Sequence, residues 1–160
     1  MVSSLSRRRA VQRSTTLAAC LALGLAASCT GASAESKVSE APLPCDAATP
    51  IVDNEVIGVA TDATIYGLLF PTEPLPVRAG DELKIVWRMT GEGDLTVSYD
   101  SPDGRPAMLT FGPEAHAGSS YERPGDEWGT GFKFDEPGCW HIHLERAEGS
   151  GDVWIAVADK

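Results

Sequence analysis

Leu83, Ile85, Trp87 and Met89 alternate with Lys84, Val86 and Arg88, and this run constrains the fold more than any other stretch. Side chains of a strand point alternately to opposite faces, so the period of two predicts a strand with one face in a core. Shorter runs rich in β-branched and aromatic residues recur at 55–60 (EVIGVA), 64–70 (TIYGLLF), 95–99 (LTVSY), 107–111, 132–134 and 139–146 (CWHIHLER), and the last lies at 153–158 (VWIAVA). Turn chemistry separates them: Gly91-Glu92-Gly93-Asp94, Ser101-Pro102-Asp103-Gly104, Glu136-Pro137-Gly138 and Gly149-Ser150-Gly151. Pro71, Pro74 and Pro76 force an irregular or edge passage, because proline cannot donate to a central ladder. No segment carries a 3.6-residue period with caps. The expected fold is all-β, an immunoglobulin/fibronectin-like β-sandwich of seven or eight strands over residues 51–160. A fold likeness of this kind says nothing of function.

The chain begins differently. Arg7, Arg8, Arg9 and Arg13 precede the apolar run TTLAACLALGLAAS, which is too short for a permanent membrane span and reads as a signal peptide over residues 1–28. Ala26-Ala27-Ser28-Cys29 follows the pattern of a lipobox, with Ala26 where leucine is preferred. Processing there makes Cys29 the first mature residue, carrying a diacylglycerol with palmitate-like acyl chains. At about 0.8 kcal/mol per buried methylene, two chains anchor stably where one does not. Plain secretion after Ala32-Ser33-Ala34 is the competing reading. Residues 29–50, rich in Ala, Ser, Glu, Pro and Thr, read as a flexible tether.

Charge narrows the partners. The full chain has 13 basic and 23 acidic residues; removing residues 1–28 takes four arginines and no acid, leaving 9 against 23, a net charge of −14. Such a surface disfavours nucleic acid, whose phosphates need basic contacts. It also repels anionic head groups, so membrane attachment rests on the lipid. Of four cysteines, Cys20 lies in the apolar run and Cys29 is the acylation site, leaving Cys45 and Cys139. In an exported domain their simplest fate is one disulfide, worth roughly 4–5 kcal/mol in the chain-entropy model. A free thiol pair and metal ligation are the alternatives.

The stretch 112–131, GPEAHAGSSYERPGDEWGTG, shows neither strand nor helix period and concentrates polar and aromatic groups. It reads as a structured loop. Glu114, His116, Tyr121, Arg123, Asp126, Glu127 and Trp128 are its candidate ligand-binding residues. Arg123-Pro124-Gly125-Asp126 has turn chemistry that can present Arg123 and Asp126 to a saccharide or peptide, backed by Tyr121 and Trp128. Alternatively Trp128 plugs the core, and Arg123 or Arg88 pairs with Asp126 or Glu127 to fasten the loop. Ser119 and Ser120 lie near His116 in sequence, yet no nucleophile elbow or orienting acid accompanies them, so no enzyme and no cofactor is expected.

On a strand, Cys139, His141, His143 and Glu145 share one face and Trp140, Ile142 and Leu144 the other. The apolar set belongs in the core, which leaves both imidazoles outside. No resident metal is expected; the alternative is a copper- or zinc-binding domain using His141 and His143, with His116 as a conceivable third ligand.

The run from KIVWRMTGEGDL through SPDG, GPEAH, RPGDEWGTGF and PGCW, covering roughly residues 55–158, resembles an uncharacterised family of bacterial lipoproteins, mostly actinobacterial and bacillar. The resemblance implies an anchored β domain and adds no mechanism. The combined expectation is a lipoprotein on the extracytoplasmic face of the cell membrane whose sandwich binds a ligand, cell-wall material or a protein partner.

Overall fold

The computed structural model describes residues 45–160; the signal peptide expected over 1–28, the lipidation expected at Cys29 and the part of the expected tether up to residue 44 lie outside the described residues. The described part is all-β, without a helix. Its strands are β1 (Glu55–Ile57), β2 (Val59–Thr61), β3 (Ile65–Pro71), β4 (Glu82–Met89), β5 (Thr96–Asp100), β6 (Pro106–Ala107), β7 (Phe111–His116), β8 (Asp126–Lys133), β9 (Gly138–Glu145) and β10 (Ser150–Val157). They form two five-stranded antiparallel sheets, ordered β1-β3-β4-β8-β7 and β2-β10-β9-β5-β6. The β-sandwich is the expected class, built from ten strands in the described residues rather than seven or eight.

Two readings of the sequence change. The run EVIGVA is not one strand: β1 joins β3 in the first sheet, and β2 joins β10 in the second. The crossing falls at Gly58, whose N–H still donates to Ile65 O on β3 at 3.0 Å. Residues 112–131 are not a single loop either, because β7 and the start of β8 occupy both ends and leave a connection over 117–125. β8 escaped notice because it is buried on both faces, from Glu127 to Phe132, so polar and apolar residues do not alternate along it. Its outer face carries Gly129 and Gly131, and a Cβ at Gly131 would collide with the side chains of Thr110 and Phe111. Those two glycines let neighbouring side chains fold flat over the strand.

The inner faces meet in one aromatic core. The alternation over Leu83–Met89 is realised, with Leu83, Ile85, Trp87 and Met89 all at most 1% exposed. Trp87 stands opposite Trp128 in the β4–β8 register. Across the sandwich, Tyr99 on β5 makes edge contact with Phe132 on β8 at 5.1 Å between centroids and lies 5.6 Å from Trp140. The polar atoms of two of its aromatic side chains are paired: Trp87 Nε1 donates to Thr130 Oγ1 at 2.7 Å, and Tyr99 Oη to Met108 O at 2.9 Å. Each fully buried large side chain is worth about 1.5–3 kcal/mol over its exposed state, so this layer is the main source of stability.

The two cysteines form a disulfide, Cys45–Cys139, with Cα atoms 4.8 Å apart. Beside it, Thr49 N donates to Trp154 O at 2.9 Å and Trp154 N to Thr49 Oγ1 at 3.0 Å. Residues 45–50, read as the end of the tether, are thus fastened at two points, Cys45 to β9 and Thr49 to β10.

Candidate functional site

The β7–β8 connection runs back across the outer face of the first sheet, from β8 over β4 and β3 to β1, and each strand supplies a fastening. Glu127 on β8 is 4% exposed and accepts a hydrogen bond from Ser119 Oγ. Arg88 on β4 brings Nε to 3.0 Å from Glu127 Oε2, a contact of opposite charges without an aligned hydrogen bond, while its Nη1 donates to Gly125 O at 2.9 Å. His116 Nδ1 stands 3.9 Å from Glu127 Oε1. The turn at Arg123-Pro124-Gly125-Asp126 forms as its chemistry predicts, with Gly125 at a φ of 95°.

At the far end of the connection, Glu55 on β1 collects three hydrogen bonds. Arg123 donates Nε to Oε1 at 2.8 Å and Nη2 to Oε2 at 2.9 Å, a bidentate pair. Tyr121 Oη donates to Oε1 at 2.7 Å. The guanidinium lies 5.6 Å from the Tyr66 ring on β3 and 5.8 Å from the Tyr121 ring, within cation–π range of both. The Arg123 hydrogen bond lowers the Glu55 pKa, burial opposes it, and the Tyr121 bond and Arg123 charge lower it further, so the carboxyl sits below its ordinary value. Burial and the hydrogen bond to Glu55 raise the Tyr121 phenol above its ordinary value.

Around this trio opens a groove of about 770 Å³. Val52, Ile57 and Leu68 supply its apolar side, and Glu55, Tyr121 and Arg123 its polar side. Val52 and Ile57 are 64% and 60% exposed.

The candidate residues therefore separate. Tyr121 and Arg123 line the groove, whereas Trp128 is 5% exposed and belongs to the core. Arg123 pairs with Glu55 rather than with Asp126 or Glu127. Asp126 is exposed on the turn and gives one carboxylate oxygen, Oδ2, to Arg146 Nη2 at 2.7 Å. Glu114 and His116 lie on β7, at the opposite edge of the sheet from Glu55. Ser119 is turned to Glu127.

Three residues of consequence were missed. Glu55 lies 66 and 68 positions from its partners, and nothing in its local sequence marks it. Arg146 is 6% exposed; it donates to Met89 O at 2.9 Å and to Gly93 O at 2.6 and 2.8 Å, and packs 4.5 Å from the Trp128 ring centroid. Asp152 is the third, and a signal did exist for it. CWHIHLER and the last strand read as neighbours around Gly149-Ser150-Gly151, and pairing them as a hairpin brings Asp152 opposite His143.

His141 and His143 occupy the outer face of β9, as the alternation predicts, with Trp140, Ile142 and Leu144 at 3% exposure or less behind them. His141 Nε2 and His143 Nδ1 lie 2.7 and 2.8 Å from the same atom, Asp152 Oδ1. His141 also stacks on Trp154 with centroids 5.0 Å apart, and its Nδ1 is 3.9 Å from Asp100 Oδ2. Burial works against ionisation of Asp152, but the hydrogen bonds from His143 and His141 outweigh it, and the carboxyl sits below its ordinary value. His116 cannot join this group, because it belongs to the other sheet and packs against Gly129. No protein-family model matches the chain, and no curated protein matches it.

Proposed function

We propose that this chain is a lipoprotein held by Cys29 on the extracytoplasmic face of the cell membrane, and that its sandwich is a non-catalytic binding module. The groove beside Glu55, Tyr121 and Arg123 receives the ligand. The observation that carries this reading is the course of the 117–125 connection, which crosses a whole sheet to meet Glu55 and leaves a groove of about 770 Å³. Ligand sites are concave, largely apolar and provided with a few oriented polar groups, and this groove has that make-up. Exposed Val52 and Ile57 offer apolar contact, Tyr121 a ring, and the Arg123–Glu55 fork donors and acceptors in fixed positions. Cell-wall fragments and extended peptides combine such features, so cell-wall material or a partner protein is the ligand class.

The test is a co-sedimentation assay of the purified protein with isolated cell walls, alongside the Arg123→Ala, Tyr121→Phe and Ile57→Asp variants. Wild type should sediment with the walls and the three variants should not, while their melting temperatures stay near that of wild type. Sedimentation unchanged in all three variants would refute the groove. For the anchor, Cys29→Ser should release the protein into the medium, and its persistence in the membrane fraction would refute lipidation.

A further inference from the structure

A second candidate site lies on the other sheet and does not depend on the groove. We propose that His141, His143 and Asp152 bind one divalent late first-row transition ion, Cu(II) more tightly than Zn(II). Two imidazole nitrogens from adjacent same-face positions of β9 converge on a single carboxylate oxygen of β10, and the three donor atoms all lie within 4.8 Å of one another. An ion held at about 2.0–2.2 Å from each donor needs donors about 3 Å apart. The two separations from Asp152 Oδ1, 2.7 and 2.8 Å, are already close to that value, and the two imidazole nitrogens lie within 4.8 Å of each other. The cation then takes the place of the protons that now bridge the imidazoles to Oδ1.

The mounting is rigid. β9 is paired along its whole length with β10 and over five residues with β5, and its inner side chains are buried. The register puts His143 directly opposite Asp152 and His141 opposite Asp100. Trp154 holds the His141 ring from one side. Asp100 stands 3.9 Å from Nδ1 of His141, the nitrogen the ion does not use, too far for a hydrogen bond but near enough for its negative charge to favour positive charge at the site. All three donors are about one-third exposed, so an ion can enter from solvent and positions for water remain open. Two nitrogens and one carboxylate oxygen suit copper and zinc, and the Irving–Williams order puts Cu(II) first. Mg(II) and Ca(II), which require oxygen donors, fit poorly.

The test is titration of the untagged, purified protein with Cu(II), Zn(II), Mg(II) and Ca(II) by calorimetry, with electron paramagnetic resonance of the Cu(II) complex. One Cu(II) per chain is expected, with Zn(II) weaker and no response to Mg(II) or Ca(II). The spectrum should show two coupled imidazole nitrogens. His143→Ala and Asp152→Asn should each weaken Cu(II) binding at least tenfold. A hydrogen-bonded trio that serves only the sheet would bind no Cu(II), and that result overturns the proposal. So would a spectrum without imidazole nitrogen, or binding that survives His141→Ala plus His143→Ala unchanged. The spectrum is recorded on wild type and decides the matter even if a variant folds poorly.

Discussion

The groove and the histidine face are assembled by opposite means. In the second sheet, hydrogen-bonded register alone sets His141, His143 and Asp152 together on neighbouring strands. In the first, Tyr121 and Arg123 reach Glu55 from a connection outside any strand, held by side-chain contacts to Glu127, Arg88 and Glu55. A site on paired strands is fixed as firmly as the sheet. A site closed by side chains is fixed only as firmly as those contacts, which suits a surface that must yield to a ligand.

The comparison can be broken most forcefully at the disulfide. It closes a separation of 94 residues and ties the start of the domain to the beginning of strand β9, so replacing both cysteines with serine should cost about 4–5 kcal/mol in urea unfolding. A loss below about 1 kcal/mol would show that the contacts of Thr49 with β10 hold the segment without it. The next contrast lies inside the stretch 112–131. Trp128→Ala should lose about 3–5 kcal/mol as a core truncation, whereas Arg123→Ala should leave the unfolding midpoint near that of wild type. Equal losses would mean that the connection is as much a part of the core as β8. Arg146→Met keeps the bulk beside Trp128 but leaves Met89 O and Gly93 O without their donor, and should cost about 2–3 kcal/mol.

The smallest effect concerns pH. Glu55 has its folded pKa lowered by Arg123, so its contribution is present above the unfolded pKa and is lost as pH falls through the folded one. The melting temperature of wild type should exceed that of Glu55→Gln at neutral pH, with the gap closing as pH falls through and below the ordinary carboxylate range. A gap that persists unchanged at acid pH would show that the charge of Glu55 contributes nothing.

Much of the fold was legible. The alternation of Leu83–Met89, the two faces of Cys139–Leu144 and the final apolar run all correspond to β4, β9 and β10. Each is half-buried or has one buried face, and period two survives only there. β8 was illegible because both of its faces are covered, and β1 and β2 because a change of sheet within six residues leaves no mark on hydrophobicity. Of the site, Tyr121 and Arg123 could be named from their chemistry, but their partner could not.

Local order thus followed from the sequence: which runs are strands, which face of β9 turns inward, and which cysteines remain to pair. Steric alternation and the burial of apolar side chains act over a few residues and are written there. The meeting of Glu55 with Tyr121 and Arg123, the burial of Trp128, and the clamp of Arg146 were decided by tertiary packing. Such contacts depend on which strands lie side by side and on what a connection must cross to reach the next one, and both are properties of the assembled sandwich.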